Sequence, residues 1–166
     1  RDRKKLLEGA VRGILKETDY PDLELIVVDN QSVEPETLAY FEEIQKDPRV
    51  KVLRYDAPFN FSAINNFGVR HARGEIIGLI NNDIEVIHPD WLQEMVSHAL
   101  RPGIDAVGAT LYYADGRVQH AGVVVGIGVL HDRPHGVAGH SQKYFPRESA
   151  GYMSRLAVIQ NYSAVT

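Results

Sequence analysis

Apolar residues along this chain alternate between helical and strand-like spacing. Between residues 4 and 16 they recur every three or four positions, which predicts an amphipathic helix with Asp2 as its N-cap. Residues 23–29 form an almost continuous apolar run that ends at Asp29, the pattern of a strand covered on both faces. Five further elements are predicted: helix 35–47, strand 49–55, helix 61–72 with Ser62 as its cap, a strand within 74–86, and helix 89–100.

The order of these elements indicates the fold class. Strands that alternate with helices at this spacing predict an α/β domain with a mainly parallel, twisted sheet, and residues 104–110 add one more strand. After residue 110 the pattern changes: Asp115 and Gly116 predict a tight turn between the strands of a hairpin, and residues 131–151 are rich in His, Pro, Gly and Arg and predict a long loop. We therefore expect one domain over residues 1–166, with an α/β half (1–110) and a second half (111–166).

The predicted sheet lacks an element at its start. A right-handed βαβ unit would place a strand before the first helix, but the chain begins directly on that helix. We therefore expect a fragment without the first strand of its sheet. In doubly wound sheets that strand lies between the second and the fourth, so strands 23–29 and 74–86 should not pair with each other.

Composition narrows the function classes. The chain has 166 residues, no cysteine and a formal net charge of -4. The absence of cysteine excludes disulfides and thiolate metal sites, and the negative charge gives no support to nucleic-acid binding. The longest apolar run, residues 121–130, is about half as long as a membrane-spanning helix. The default expectation is a cytoplasmic domain.

Polar side chains follow two of the predicted parallel strands where those strands end. Residues 29–32 (Asp-Asn-Gln-Ser) follow the first, and residues 81–83 (Asn-Asn-Asp) follow the strand within 74–86. Ligands of open parallel sheets bind at this edge, and hard cations such as Mg²⁺ take oxygen ligands together with substrate phosphates. Asp83 thus fits a weak metal site completed by a diphosphate, and Asp29 could accept hydrogen bonds from a nucleoside. The alternative is that both clusters are only turn residues and helix caps.

Two longer motifs resemble those of a known family. "YPDLELIVVDNQS" and "FNFSAINNFGVRHARGEIIGLINNDIEV" are similar, in order and spacing, to segments of the inverting GT-A-fold glycosyltransferases of sequence family two. "DGRVQHAGVVVGIG", "GHS" and "NYSAVT" resemble a rhamnosyltransferase-like subgroup of O-antigen and cell-surface polysaccharide assembly. The resemblance implies a GT-A, Rossmann-like fold. It also implies transfer of a sugar, with inversion, from a nucleotide-diphosphate sugar to a glycan or lipid-linked acceptor.

The resemblance also implies site residues. Asp29 would contact the base or ribose, the Asn-x-Gly of Asn66 and Gly68 would shape the nucleotide pocket, and Asp83 would bind a divalent cation, Mg²⁺ or Mn²⁺. The implied nucleotide-sugar site as a whole comprises Asp29, Asn65, Asn66, Asn81, Asn82 and Asp83. Two positions depart from the family: Asn65 stands where many members have arginine, and Asn81 where many have the first aspartate of the DxD motif.

A general base is missing from the expected site. In the family the base is an acidic residue on a later segment, and no matching acidic motif follows Glu148. We therefore expect the base to lie beyond Thr166 and this chain alone to be inactive. If it were active, Asp115, Asp132 and Glu148 would be the first carboxylates to test.

Histidines in the second half allow further interpretations. His120 either faces solvent on its strand or lies on the acceptor side of the site. The remaining histidines of this half, His131, His135 and His140, predict a solvated loop rather than a zinc site, because Pro134 argues against the helix that would align the first two.

Other functions stay open at this point. Asn81 and the missing base would also suit a non-catalytic nucleotide-sugar-binding relic. A receiver-like signalling domain is disfavoured, because Lys143 lies in the predicted loop rather than at a late strand end. The basic start of the chain, "RDRKK", could help the full-length protein to make peripheral contact with anionic lipid head groups at the inner face of the cell membrane.

Overall fold

The protein is described by a computed structural model over residues 1–126 and 138–164. It divides into two compact units, Arg1–Val96 and Ser97–Thr166.

The first unit contains alternating helices and strands, which confirms the α/β class. Its elements in chain order are α1 (Lys4–Lys16), β1 (Leu25–Asp29), α2 (Pro35–Ile44), β2 (Val50–Arg54), α3 (Phe61–Val69) and α4 (Trp91–Ala99), the last of which continues into the second unit. Pro35 begins α2 because its fixed φ suits the first helical position. The cap predicted at Ser62 is wrong: Asn60 caps α3, with Oδ1 accepting from the Ala63 N–H at 2.9 Å.

Strands β1 and β2 form a parallel pair with helices on both faces. The register runs from Leu25 opposite Val50 to Asp29 opposite Arg54. One face packs against α1 and α2. This core comprises Val11, Tyr40, Phe41, Ile44 and Val50, with Leu7, Leu15, Leu25, Val27 and Val52 partly buried against it. On the other face α3 approaches so closely that a Cβ at Gly68 would lie 3.2 Å from Cγ2 of Val28.

Two predicted strands, within 74–86 and at 104–110, do not form. In the part of the chain that the structure describes, β1 pairs only with β2, and neither segment belongs to a β-ladder. A strand needs a neighbour that accepts and donates its backbone hydrogen bonds, and these segments have none. The large apolar side chains of residues 76–80, which a complete sheet would bury, are therefore exposed, from 40% for Ile76 to 61% for Leu79. Because residues 74–86 form no strand, the predicted order of the strands around β1 stays a prediction.

Helix α1 and the residues after it contact the segment that follows residues 81–83. A Cβ at Gly13 would lie 3.0 Å from Cγ2 of Val86, so the helix and the segment are in contact there. After α1 ends, the Asp19 N–H donates to the carbonyl of Pro89 at 2.7 Å, and Nε1 of Trp91 donates to Oγ1 of Thr18 at 2.8 Å. The turn at residues 82–83 thus lies shortly before a segment fixed to the end of α1.

Asp2 has a role other than the predicted one. It is not the N-cap of α1: that position is Arg3, which makes no side-chain capping bond. Instead, Oδ1 of Asp2 accepts from the N–H groups of Val33 and Glu34, at 2.8 and 2.9 Å, just before α2. The Glu34 hydrogen bond is the main cause that lowers the pKa of Asp2. The start of the chain is therefore fixed to the start of α2.

The second unit is built from short antiparallel pairs. Its strands are β3 (Leu111–Tyr112), β4 (Val118–His120), β5 (Val123–Val125) and β6 (Ala138–His140), followed by a 3₁₀ segment at Tyr152–Ala157. The pairing of β3 with β4 around Asp115 and Gly116 confirms the predicted hairpin. The predicted loop is wrong at residues 138–140, which form β6 and pair with β5. Residues 131–137 of that loop lie outside the described residues.

In the described residues no helix is long and apolar enough to cross a membrane.

Because α3 lies close to β1, replacing a helical glycine by alanine should affect stability differently at Gly68 than at a glycine with open space around it. Gly9→Ala on α1, where a Cβ meets nothing within 4 Å, should stabilise the fold by about 0.5–1 kcal/mol. Gly68→Ala should raise the free energy of unfolding by less than Gly9→Ala, or lower it, because the new methyl group would press on Val28. Urea unfolding followed by Trp91 fluorescence measures both. In a Val28→Ala background the two alanine replacements should have the same effect on stability. Equal stabilisation by both replacements in the wild-type background would contradict the close contact between Gly68 and Val28.

Candidate functional site

The carboxylate of Asp29 lies at the end of β1 and is 5% exposed. Its Oδ2 accepts from Nη1 of Arg54 at 2.6 Å, and its Oδ1 accepts from the N–H of Ser32 at 3.0 Å. A buried carboxylate needs such partners, because an unpaired charge away from water is costly. Each oxygen keeps further acceptor capacity for a ligand.

Arg54, at the end of β2, connects three parts of this edge. Besides Asp29, its guanidinium donates to the carbonyl of Ser32 at 2.9 Å and to Oδ1 of Asp56 at 2.7 Å. Asp56 and then Asp29 raise the pKa of Arg54. The side chain of Asn30 adds a second link, since Nδ2 donates to the carbonyl of Ala57 at 2.8 Å. The loops after β1 and β2 are therefore held together.

Sequence reasoning missed Arg54. The available signal was its place at the end of the short strand 49–55, because parallel strands that begin in register also end in register. A basic side chain opposite Asp29 was therefore a candidate partner.

The two asparagines of α3 differ in their contacts. Nδ2 of Asn65 donates to the carbonyl of Phe61 at 2.9 Å, one turn earlier on the same helix. Asn66 is exposed. Gly68, two residues later, permits the close approach to Val28 on β1, so a larger residue there would push the helix away from the strand that carries Asp29. The nucleotide-binding role of these residues stays a prediction.

Asn81, Asn82 and Asp83 are all exposed. Within the described residues their side chains have no hydrogen-bond or ion-pair partner. These side chains therefore make no capping hydrogen bond within the described residues, and the structure does not support their interpretation as helix caps. Their oxygen atoms are open to a ligand.

The donor atoms at this turn fit a hard cation only as a partial ligand set. Across residues 1–126 and 138–164 no group of three His, Cys, Asp or Glu side chains could hold a metal ion. Asp83 contributes one carboxylate, with the amide oxygens of Asn81 and Asn82 adjacent in sequence. Mg²⁺ commonly takes one or two carboxylates plus the phosphates of a substrate, which this set allows.

His120, in the second unit, is 1% exposed, which contradicts the solvent-facing interpretation. Its Nδ1 lies 2.8 Å from Nδ1 of His140, and its Nε2 accepts from the N–H of Gly122 at 3.3 Å. Burial lowers the pKa of His120, and the neighbouring His140 lowers it further. His140, predicted on a solvated loop, instead ends β6 and contacts this buried ring. His131 and His135 lie outside the described residues.

Three distant segments meet around this histidine pair. The ring of Tyr162 packs on Gly122, whose φ of 102° suits glycine and where a Cβ would overlap the ring. Oγ of Ser141 donates to the hydroxyl of Tyr162 at 3.3 Å, and the Ser141 N–H donates to the carbonyl of Gly122 at 2.8 Å. The segments are those that contain "HAG", "GHS" and "NYSAVT".

Of the three candidate carboxylates of the second unit, Asp115 is poorly suited to act as a base. Asp115 forms an ion pair with Arg117 at 2.7 Å, and this partner lowers its pKa. A lowered pKa makes a carboxylate a weaker base. Glu148 is exposed, and Asp132 lies outside the described residues.

Comparison with known proteins identifies the family. The model of the family described as Glycosyl transferase family 2 matches residues 1–151. The chain belongs to this family. It is 56% identical over its whole length to the uncharacterized protein y4gI of Sinorhizobium fredii, of which it covers 18%. Over 84% of its length it is 46% identical to the O-antigen biosynthesis protein RfbC of Myxococcus xanthus, of which it covers 10%.

A third relative is less similar in sequence to this chain. Over 58% of its length the chain is 30% identical to the putative colanic acid biosynthesis glycosyl transferase WcaA of Escherichia coli, of which it covers 34%. The chain thus spans a fifth or less of the first two relatives and about a third of the third. No solved structure matches it.

The Asp29–Arg54 pair predicts unequal effects of two arginine replacements. Arg54→Met should lower the free energy of unfolding by about 1–3 kcal/mol, because it leaves a buried carboxylate oxygen without its donor. Arg12→Met, which breaks the exposed Arg12–Glu17 pair at 3.0 Å, should cost less than about 1 kcal/mol. Urea unfolding measures both changes. Equal losses would show that the pair does not stabilise this edge.

The lowered pKa of His120 predicts a pH dependence of stability. The unfolded ring takes up a proton near its ordinary pKa of about 6.5, whereas the folded ring does so only at lower pH. The contribution of the neutral His120 ring to stability is therefore complete above about pH 6.5, and it is lost as the pH falls from there through the pKa of the ring in the folded protein. Urea unfolding at pH 7.5 and 5 should show a larger loss for the wild type than for His120→Asn; parallel profiles would contradict the assignment.

Proposed function

We propose that this domain binds a nucleotide-diphosphate sugar and transfers the sugar, with inversion, to a glycan or lipid-linked acceptor in polysaccharide assembly. The observation that carries the proposal is the exposed Asn81–Asn82–Asp83 turn, whose oxygens have no partner in the described residues of a family 2 chain. The names of two relatives support it, since one is an O-antigen biosynthesis protein and another a putative colanic acid biosynthesis glycosyl transferase.

The chemistry assigns different tasks to the residues of the first unit. Inverting transfer is an in-line displacement with an oxocarbenium-like transition state, in which the departing nucleoside diphosphate gains negative charge. A divalent cation, Mg²⁺ or Mn²⁺, would stabilise that charge when bound. Asp29, held by Arg54, would orient the nucleoside through hydrogen bonds to its base or ribose. Asp83 would hold the cation, and Asn66 would line the nucleotide pocket.

The neutral residue at position 81 affects when a metal would bind. With Asn81 in place of an aspartate, the turn carries one negative charge, that of Asp83. One carboxylate attracts a divalent cation weakly in water, whereas a diphosphate adds charge and oxygen ligands of its own. We therefore infer that cation and nucleotide bind together.

A binding module without catalysis is the competing function. Asn81 supports it, and so does the pairing of Asp115 with Arg117, which leaves this carboxylate a poor base. Such a module would bind nucleotide sugars but release no nucleoside diphosphate when an acceptor is added. The proposed enzyme, which we expect to be cytoplasmic, would release it when an acceptor is added.

The metal assignment predicts that nucleotide affinity depends on Asp83. In calorimetry on the intact protein, UDP or dTDP should bind at least about tenfold more tightly with Mg²⁺ or Mn²⁺ than without, because Asp83 and the diphosphate would both supply oxygen ligands to the cation. Asp83→Asn should abolish this dependence. Asp22→Asn, the same change at an exposed aspartate of the first unit, should retain it.

Turnover is measured on the same proteins, as release of nucleoside diphosphate from a panel of nucleotide sugars with and without acceptor. The proposal expects Asp83→Asn to lose this activity while the control keeps it. Affinities that are equal with and without cation in the wild type would contradict the metal assignment. Binding without release in the wild type would favour the binding module.

A further inference from the structure

His140 and His120 differ in exposure although their rings are in contact. His120 is 1% exposed, whereas His140 is exposed at the end of β6. The ring centroids are 5.0 Å apart and the rings are nearly perpendicular, with an interplanar angle of 87°. A buried ring therefore lies against the edge of a surface ring.

The hydrogen bonds define which nitrogen carries each proton. Because Nε2 of His120 accepts from the Gly122 N–H, it has no proton, and the neutral ring must carry its proton on Nδ1. That Nδ1–H donates to Nδ1 of His140, 2.8 Å away. Nδ1 of His140 is then an acceptor, so the proton of the neutral His140 ring lies on Nε2. The backbone N–H of Gly122 thus fixes both tautomers.

The outward nitrogen of His140 has no partner in the described residues, where its Nδ1 contact with His120 is its only hydrogen bond. Next in sequence, Ser141 is bonded to the hydroxyl of Tyr162. Gly122 connects the two pairs: its N–H donates to His120, its carbonyl accepts from the Ser141 N–H, and the ring of Tyr162 packs on it, so neutral hydrogen-bonding side chains and an aromatic ring share one region of the second unit. Neutral donors and aromatic rings suit an uncharged polyhydroxylated ligand better than a phosphate, which would favour arginine or lysine.

We propose that Nε2–H of His140 donates a hydrogen bond to a carbohydrate oxygen of the acceptor and that His120 is a positioning residue that orients this donor. The identification of the ligand as a carbohydrate acceptor rests on the proposed function. It accounts for a buried histidine that no step of the donor chemistry uses. It also gives one reason why "HAG", "GHS" and "NYSAVT" meet in the second unit.

The tautomers are measured first, by ¹⁵N NMR of the histidine rings in the intact protein near pH 7.5. We expect protonated Nδ1 with unprotonated Nε2 for His120, and the reverse for His140. Protonation of Nδ1 on His140 would overturn the proposal, because the outward nitrogen would then be an acceptor. This readout requires no turnover.

Binding is tested with methyl glycosides of rhamnose, mannose, glucose and galactose. At least one should shift the ring signals of His140 saturably. His140→Ala should weaken its binding about tenfold, the loss of one hydrogen bond, whereas His140→Gln, which keeps an N–H near Nε2, should bind within about threefold of the wild type. His98→Ala, on α4, is the matched histidine control and should bind normally.

The role of His120 is tested by replacement with asparagine, whose amide N–H can stand in for Nδ1–H. His120→Asn should bind glycoside more tightly than His120→Val. Equal binding by these two variants, or no shift of His140 with any glycoside at tens of millimolar, would overturn the proposal. Nucleotide binding through Asp83 is measured independently, so failure of the glycoside test and failure of the proposed donor site are distinguishable.

Discussion

The arrangement of the first unit depends on one buried carboxylate. Asp29 ends β1 with almost no exposure, and a charge in that position is tolerated only with donors on both oxygens. Arg54, its partner in the parallel register, supplies one donor, and the turn at Ser32 supplies the other. Two strand ends and the loops that follow them are thereby fixed in one arrangement. This is the edge at which parallel sheets bind their ligands.

Local sequence predicted the elements whose cause is local. The apolar stripe of α1, Pro35 at the first position of α2, and the turn at Asp115 and Gly116 each act within a few residues, and each was found where expected. The polar run that begins at Asp29 was likewise predicted to follow a strand, and Asp29 ends β1. The strand expected before residues 81–83 does not form, and a binding role for their exposed side chains stays a prediction.

The sequence did not predict features that depend on contacts between residues far apart along the chain. A strand exists only with a neighbour, so the apolar run that contains Ile76 and Leu79 could not by itself form one. Asp2 bonds the N–H groups just before α2 rather than capping α1, although it is 31 residues from Val33, because tertiary contact decides which N–H groups it reaches. The approach of His140 to His120 depends on the pairing of β5 with β6, for which the composition of residues 131–151 gave no signal.

The central claim is that a nucleotide brings a metal ion to the turn at Asp83. Paramagnetic broadening by Mn²⁺ in ¹⁵N-labelled intact protein tests it directly, because the effect falls off steeply with distance from the ion. With a nucleoside diphosphate present, substoichiometric Mn²⁺ should broaden the amides of residues 81–83 before any others of the first unit. Without nucleotide the same Mn²⁺ should leave the turn almost unchanged. Broadening centred elsewhere, or equal broadening with and without nucleotide, would contradict the account.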